Sequence, residues 1–172
     1  LPSPELTTVD FDRTAVIGAG TMGCGIAQVL AAGGLEVLLY DADPAALQRG
    51  LGRIAQRLRR QEEKGELSGA ACELALQRLR PAAAWAELAE VDLAIEAVPE
   101  KLALKQEVFA RLDAHCRPEA VLASNTSGLD VEALALATAL RERGALPEAL
   151  QGAEHGLHLE GSKVSLATWM AD

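Results

Sequence analysis

The chain has 172 residues, 49% of them hydrophobic, which suits one domain with an appendage that buries roughly two-thirds of the surface its unfolded form exposes. With 16 Lys and Arg against 25 Asp and Glu the net charge is −9, and aromatics are only 3%, so no nucleic-acid partner is expected, whether a phosphate backbone or stacked single strands. The Ala- and Leu-rich composition points instead to helices packed on a sheet.

No apolar run reaches bilayer length, and residues 1–10 lack the layout of a secretory signal, so no membrane partner is expected. Cys24, Cys72 and Cys116 are odd in number, far apart and never in a C-x-x-C pair. A soluble protein of the reducing cytoplasm fits that usage.

After a short lead containing Pro and Ser, Thr14-Ala15-Val16-Ile17-Gly18 reads as a buried strand breaking into a tight turn. Met22, Ile26, Val29 and Leu30 recur at helical spacing, Gly33-Gly34 stops that helix, and Glu36 to Tyr40 reads as a second strand. Asp43 at the N-cap and Pro44 at the first helical position open a helix over 44–64. Ser68 caps another helix, about 69–79, that ends before Pro81. Asp92 to Glu96 is a buried strand, 101–114 a helix with Leu104, Val108, Phe109 and Leu112 on one face, and Val121 to Ser124 a last short strand. A helix-like stretch follows over 130–141. Residues 138–172 read as an irregular tail, with a short helix near 147–150. The alternation predicts an α/β domain over residues 1–137, a doubly wound Rossmann-type parallel sheet with helices on both faces.

Gly18-Ala19-Gly20-Thr21-Met22-Gly23 is G-x-G-x-x-G where a strand meets a helix. Gly18 permits the tight turn, Gly20 lets backbone N–H groups approach a pyrophosphate, and Gly23 lets helix and strand pack closely. Thr21 and Met22 open the helix whose positive end faces the phosphates. Asp41, 18 residues beyond Gly23 at the end of the second strand, is placed to accept hydrogen bonds from ribose hydroxyls. Asp41-Ala42-Asp43 sets two carboxylates, and no Arg or Lys, where a 2′-phosphate would sit, so NAD is the cofactor expected. Asn125 and Ser127 follow the last strand at the carboxyl edge of the sheet, where open α/β sheets bind ligands.

The glycine turn, then Ile95-Glu96-Ala97-Val98-Pro99-Glu100-Lys101-Leu102-Ala103-Leu104-Lys105, then Ala123-Ser124-Asn125-Thr126-Ser127, together resemble the N-terminal domain of the 3-hydroxyacyl-CoA dehydrogenases over roughly 14–137. The resemblance implies oxidation of a (3S)-3-hydroxyacyl-CoA to the 3-ketoacyl-CoA with NAD, as in fatty-acid or related acyl-CoA metabolism. It implies that Ala97 and Glu100 line the nicotinamide-ribose side, that Lys105 contacts cofactor or acyl-CoA, and that Ser127 helps position the substrate hydroxyl; Asn125, at the same strand end, is placed to bond cofactor or a substrate oxygen. It also implies an acyl-CoA partner and a homodimer.

The family continues into G-x-H-F-F-N-P, whose histidine is the general base, then a glutamate that orients it and a helical C-terminal domain. Gly156-Leu157-His158 shows the first three letters, but Leu159-Glu160-Gly161 departs from the rest, so His158 is a candidate base at shifted spacing and the C-terminal helical domain is expected to be absent. This chain alone is therefore expected to be catalytically incomplete. His155 and His158 with Glu154 and Glu160 make a weak ligand pattern, and no metal site is expected. Two alternatives stay open: a non-catalytic dinucleotide-binding module, and another Rossmann-fold enzyme.

Overall fold

Apolar strands with helices on both sides give this chain its central layer. The structure, a computed structural model, describes residues 6–8, 11–126, 153–160 and 163–170, with side chains described over 11–126. In chain order the elements are β1 (Leu6–Thr8), β2 (Arg13–Ile17), α1 (Thr21–Ala32), β3 (Glu36–Tyr40), α2 (Pro44–Glu63), α3 (Gly69–Arg78), β4 (Leu79–Pro81), a short 3-10 helix (Trp85–Leu88), β5 (Leu93–Glu96), α4 (Leu102–His115), β6 (Val121–Ser124), β7 (Ala153–Glu160) and β8 (Lys163–Met170).

Strands β2 to β6 form a parallel sheet in the order β4-β3-β2-β5-β6. This is the doubly wound Rossmann order, and the reversal between β2 and β5 opens a crevice at the carboxyl ends of the strands. Successive side chains of a strand point to opposite faces. Accordingly Val16, Val37, Leu39, Leu93 and Ile95 join the core under α1, α2 and α3, whereas Ala15, Ile17 and Ala94 join the core under α4 with Val108 and Leu112.

The helix starts follow their caps. Asp43 Oδ1 accepts from the Ala45 amide at 2.9 Å with Pro44 in the first turn, and Ser68 Oγ accepts from Ala71 at 3.2 Å. The third helix stops one residue earlier than the spacing predicts, because Leu79 leaves it to begin β4. Strand β4 is a three-residue edge strand, a position that tolerates Pro81 and is too short to show a period in sequence.

A second sheet has the order β1-β8-β7, all antiparallel, with Leu157 opposite Leu166 and His158 opposite Ser165. The tail read as irregular thus contains two strands. Its signal was the alternation of Leu157 and Leu159 with polar neighbours, then of Val164 and Leu166, on either side of Gly161-Ser162. The helices expected over 130–141 and 147–150 and the domain boundary expected at 137 lie outside the described residues.

Candidate dinucleotide site

The turn from β2 into α1 needs each of its glycines for a different reason. Gly18 has φ +107°, in the left-handed region, and a Cβ there would stand 2.8 Å from the Ala97 carbonyl oxygen. At Gly23 a Cβ would come within 1.8 Å of the Gly18 oxygen, so helix and strand could not pack as they do. Gly20 differs: a Cβ there would meet nothing within 4 Å. It is the N-cap of α1 and makes no side-chain cap, and the amides of Thr21, Met22 and Gly23 in the first turn have no intrahelical acceptors. Open space over a bare helix N-terminus suits a phosphate group.

The carboxylate of Asp41 closes this turn from the β3 side. Its Oδ2 accepts from the Ala19 amide at 2.7 Å and its Oδ1 from the Asp43 amide at 2.9 Å. Each oxygen can accept more than one bond, so capacity remains for ribose hydroxyls. From α2, Arg53 Nη2 donates to the Ala19 carbonyl at 2.7 Å, and Arg49 pairs with Asp43 at 3.4 Å. Both arginines line the cleft, which corrects the reading that no Arg or Lys is near: one and two turns of α2 carry these side chains back to the β3 end. Arg53 is held there by the Ala19 carbonyl and Arg49 by the Asp43 carboxylate.

On the other side of the switch point lies a buried ionic network that the sequence did not reveal. Glu96, at the end of β5, and Lys105, in the first turns of α4, are both fully buried. Lys105 Nζ is 2.9 Å from both carboxylate oxygens of Glu96, 3.2 Å from Glu100 Oε2, and donates to the Asn125 carbonyl at 3.4 Å. Glu96 also accepts from the Val98 amide and the Ser124 hydroxyl, both at 2.6 Å. Glu100 accepts from Thr126 Oγ1. The ends of β5 and β6 and the loop into α4 are therefore joined through one ammonium group.

These pieces border a cleft of about 940 Å³ at the carboxyl edge of the sheet. Gly18, Gly20, Thr21, Met22, Asp41, Ala97, Glu100 and Asn125 line it. Lys105, expected at the ligand, instead lies beneath the cleft within the network. Ser127 falls outside the described residues, and His158 lies on β7 in the second sheet. Among the described residues no group of three His, Cys, Asp or Glu could hold a metal ion, and no helix is long and apolar enough to cross a membrane. Burial and the charge of Asp113 push the Cys116 thiol up to about 11, so beside His115 it stays protonated at neutral pH and is no nucleophile.

Residues 13–146 match the sequence profile of the family described as "3-hydroxyacyl-CoA dehydrogenase, NAD binding domain". The chain belongs to this family. As a 3-hydroxyacyl-CoA dehydrogenase NAD-binding domain, it is 42% identical over 127 residues to the 3-hydroxyadipyl-CoA dehydrogenase of Escherichia coli (strain K12), which covers 74% of this chain and 27% of the relative. It is 38% identical over 130 residues to a probable 3-hydroxybutyryl-CoA dehydrogenase of Bacillus subtilis (strain 168), with 76% and 45% covered. Among solved structures, 3-hydroxybutyryl-CoA dehydrogenase from E. coli K12 superposes with TM-score 0.73 at 37% identity, over 90% of this chain and 30% of that one. The (S)-3-hydroxybutyryl-CoA dehydrogenase of Ralstonia eutropha gives 0.74 at 31%, over 89% and 50%. The chain thus spans half or less of these relatives, and the part it shares is the 3-hydroxyacyl-CoA dehydrogenase domain that binds NAD.

Proposed function

We propose that this chain is the cofactor half of an enzyme that oxidises a (3S)-3-hydroxyacyl-CoA to its 3-ketoacyl-CoA. The observation that carries the reading is the room for a group over Gly20, where a Cβ would meet no protein atom, bounded by Asp41 on one side and by Ala97, Glu100 and Asn125 on the other. In this reading the amides around Gly18, Gly20, Thr21, Met22 and Gly23 bind the pyrophosphate, and Asp41 accepts from the adenosine ribose. Ala97 and Glu100 border the nicotinamide ribose. Lys105 acts on the ligand through Glu100, whose carboxylate it holds. NAD supplies the hydride acceptor.

The chain's own residues then position the second reactant. Asn125, whose backbone N–H donates to the Glu96 carbonyl at 2.7 Å, lines the cleft, and Ser127 follows two residues on in sequence; we assign both to the substrate oxygen. His158 is the candidate for the base that takes the hydroxyl proton, but its spacing is shifted from the family's, so no working base is expected from it. A cytoplasmic setting, an acyl-CoA substrate, a homodimer and no nucleic-acid partner complete the proposal. The test is NADH oxidation with acetoacetyl-CoA. The chain is expected to bind NADH yet turn over far more slowly than a complete enzyme, since general acid–base catalysis alone contributes roughly 10²–10⁴-fold. Robust turnover that His158→Ala abolishes would show that β7 carries a working base. Absence of NADH binding would sink the proposal.

A further inference from the structure

The cleft does not end at the glycine turn. Beyond Asp41 and Ala42 its wall continues past Tyr40 to Trp85, and along one face of α4 through Leu104, Val108, Glu107 and Arg111. That stripe has the i, i+3, i+4, i+7 spacing of a single helix face. The far corner is built on an aromatic pair. Trp85 rests on Tyr40 with ring centroids 4.5 Å apart, and the Arg111 guanidinium lies 5.6 Å from the centre of the Trp85 ring. The Arg111 carbonyl is 2.8 Å from His115 Nδ1, and the His115 ring flanks Trp85 at 6.3 Å. Arg111 Nε and Nη2 both donate to Glu107 Oε1, at 3.2 and 3.0 Å. Glu107 Oε2 accepts nothing among the described residues. The corner therefore offers a carboxylate acceptor and guanidinium donors side by side, held by an aromatic ring.

We propose that Glu107 and Arg111 read the amino edge of the adenine base. The inference rests on the NAD reading above. With the adenosine ribose at Asp41, the attached base extends away from the pyrophosphate, along the β3 side of the cleft toward Trp85. On its N1 edge, adenine presents an exocyclic amino donor next to a ring-nitrogen acceptor. A carboxylate beside a guanidinium is complementary to that pair in one order only. Hypoxanthine has the opposite order, a carbonyl acceptor next to a ring N–H donor, and would set its carbonyl oxygen against the Glu107 carboxylate. A site built to bond a given polar edge discriminates against an analogue that cannot reproduce it.

The experiment compares NADH with its hypoxanthine analogue, deamino-NADH, by nicotinamide fluorescence titration of the whole chain. The wild type is expected to bind NADH about tenfold more tightly, the scale of one hydrogen bond to a charged group. Arg111→Ala, which removes the donor to the ring nitrogen but leaves the Glu107 carboxylate, is expected to reduce the preference. Glu107→Gln, whose amide can donate to the hypoxanthine carbonyl, is expected to remove or reverse the preference. Both side chains are half exposed, so neither change threatens folding. Equal affinities in the wild type, or a full preference retained by either variant, would overturn the proposal. Failure of the wild type to bind either dinucleotide would overturn the NAD reading instead.

Discussion

Asp41 holds the amide of Ala19 at 2.7 Å, so the carboxylate at the end of β3 fastens the glycine turn at the end of β2. The residue assigned to the ribose is therefore also a strut of the loop assigned to the pyrophosphate. Asp41→Ala is expected to weaken NADH by about 1–3 kcal/mol, the scale of lost hydrogen bonds to a charged group. Asp41→Asn keeps one acceptor oxygen for the Ala19 amide and should lose less. Calorimetric titration of both variants checks this, and an alanine variant with wild-type affinity would remove Asp41 from the site.

Gly20 and Gly23 separate binding from folding. Gly20 has φ −72°, open to any residue, and empty space where a side chain would go. Gly20→Val is expected to leave the circular dichroism spectrum and melting temperature near wild type while abolishing NADH binding. Gly23→Val would drive a side chain into the Gly18 carbonyl and is expected to destabilise the domain as a whole. A Gly20→Val chain that still binds NADH would reduce the motif to a turn.

Lys105 is predicted to matter for stability more than its sequence context suggests. Lys105→Met leaves the buried carboxylate of Glu96 without its counter-charge, and breaking one partner of such a pair costs about 3–5 kcal/mol. The double variant Glu96→Gln with Lys105→Met, which keeps an acceptor for Val98 and removes both charges, should recover part of that loss. Urea denaturation of the two variants measures it, and a double variant less stable than the single one would contradict the account.

At the opposite end of the sheet, Asp92 accepts from the amides of Asp12 at 2.9 Å and Arg13 at 2.8 Å and pairs with Arg117. Burial raises its carboxyl, but the two amides and the charges of Arg117 and Arg13 outweigh that and hold it below the ordinary value of 3.8. Because the folded state favours the charged form, the stability Asp92 adds is full above 3.8 and is lost as pH falls through its lower folded value. Asp92→Asn is expected to cost about 1–2 kcal/mol at pH 7 and to flatten the acid limb of the stability curve. An unchanged acid limb would show that the pairing is idle.

The first half of the sheet was legible because its signals are local. A strand breaking into Gly18, helical spacing from Met22 to Leu30 and the Asp43-Pro44 start each lie within a few residues, and the cofactor turn needed nothing else. What escaped depended on the third dimension. Glu96 and Lys105 are nine residues apart in a charged segment, and only the packing of α4 on β5 buries them together. Arg49 and Arg53 return to the cleft through the pitch of α2, and Arg111 meets Trp85 across 26 residues. Strand β4 was hidden by its length, whereas β7 and β8 carried an alternation of Leu157, Leu159, Val164 and Leu166 that was passed over.

The most direct test of the account is calorimetric titration of this chain with NADH and with NADPH under the same conditions. Asp41 offers acceptors to two ribose hydroxyls, whereas a 2′-phosphate would meet the Asp41 carboxylate directly at the ribose, with the charge of Arg49 offset by its pairing with Asp43. Saturable binding of NADH, clearly tighter than that of NADPH, is the result expected. NADPH binding as tight or tighter, or no heat from either dinucleotide, would contradict the assignment of the cleft.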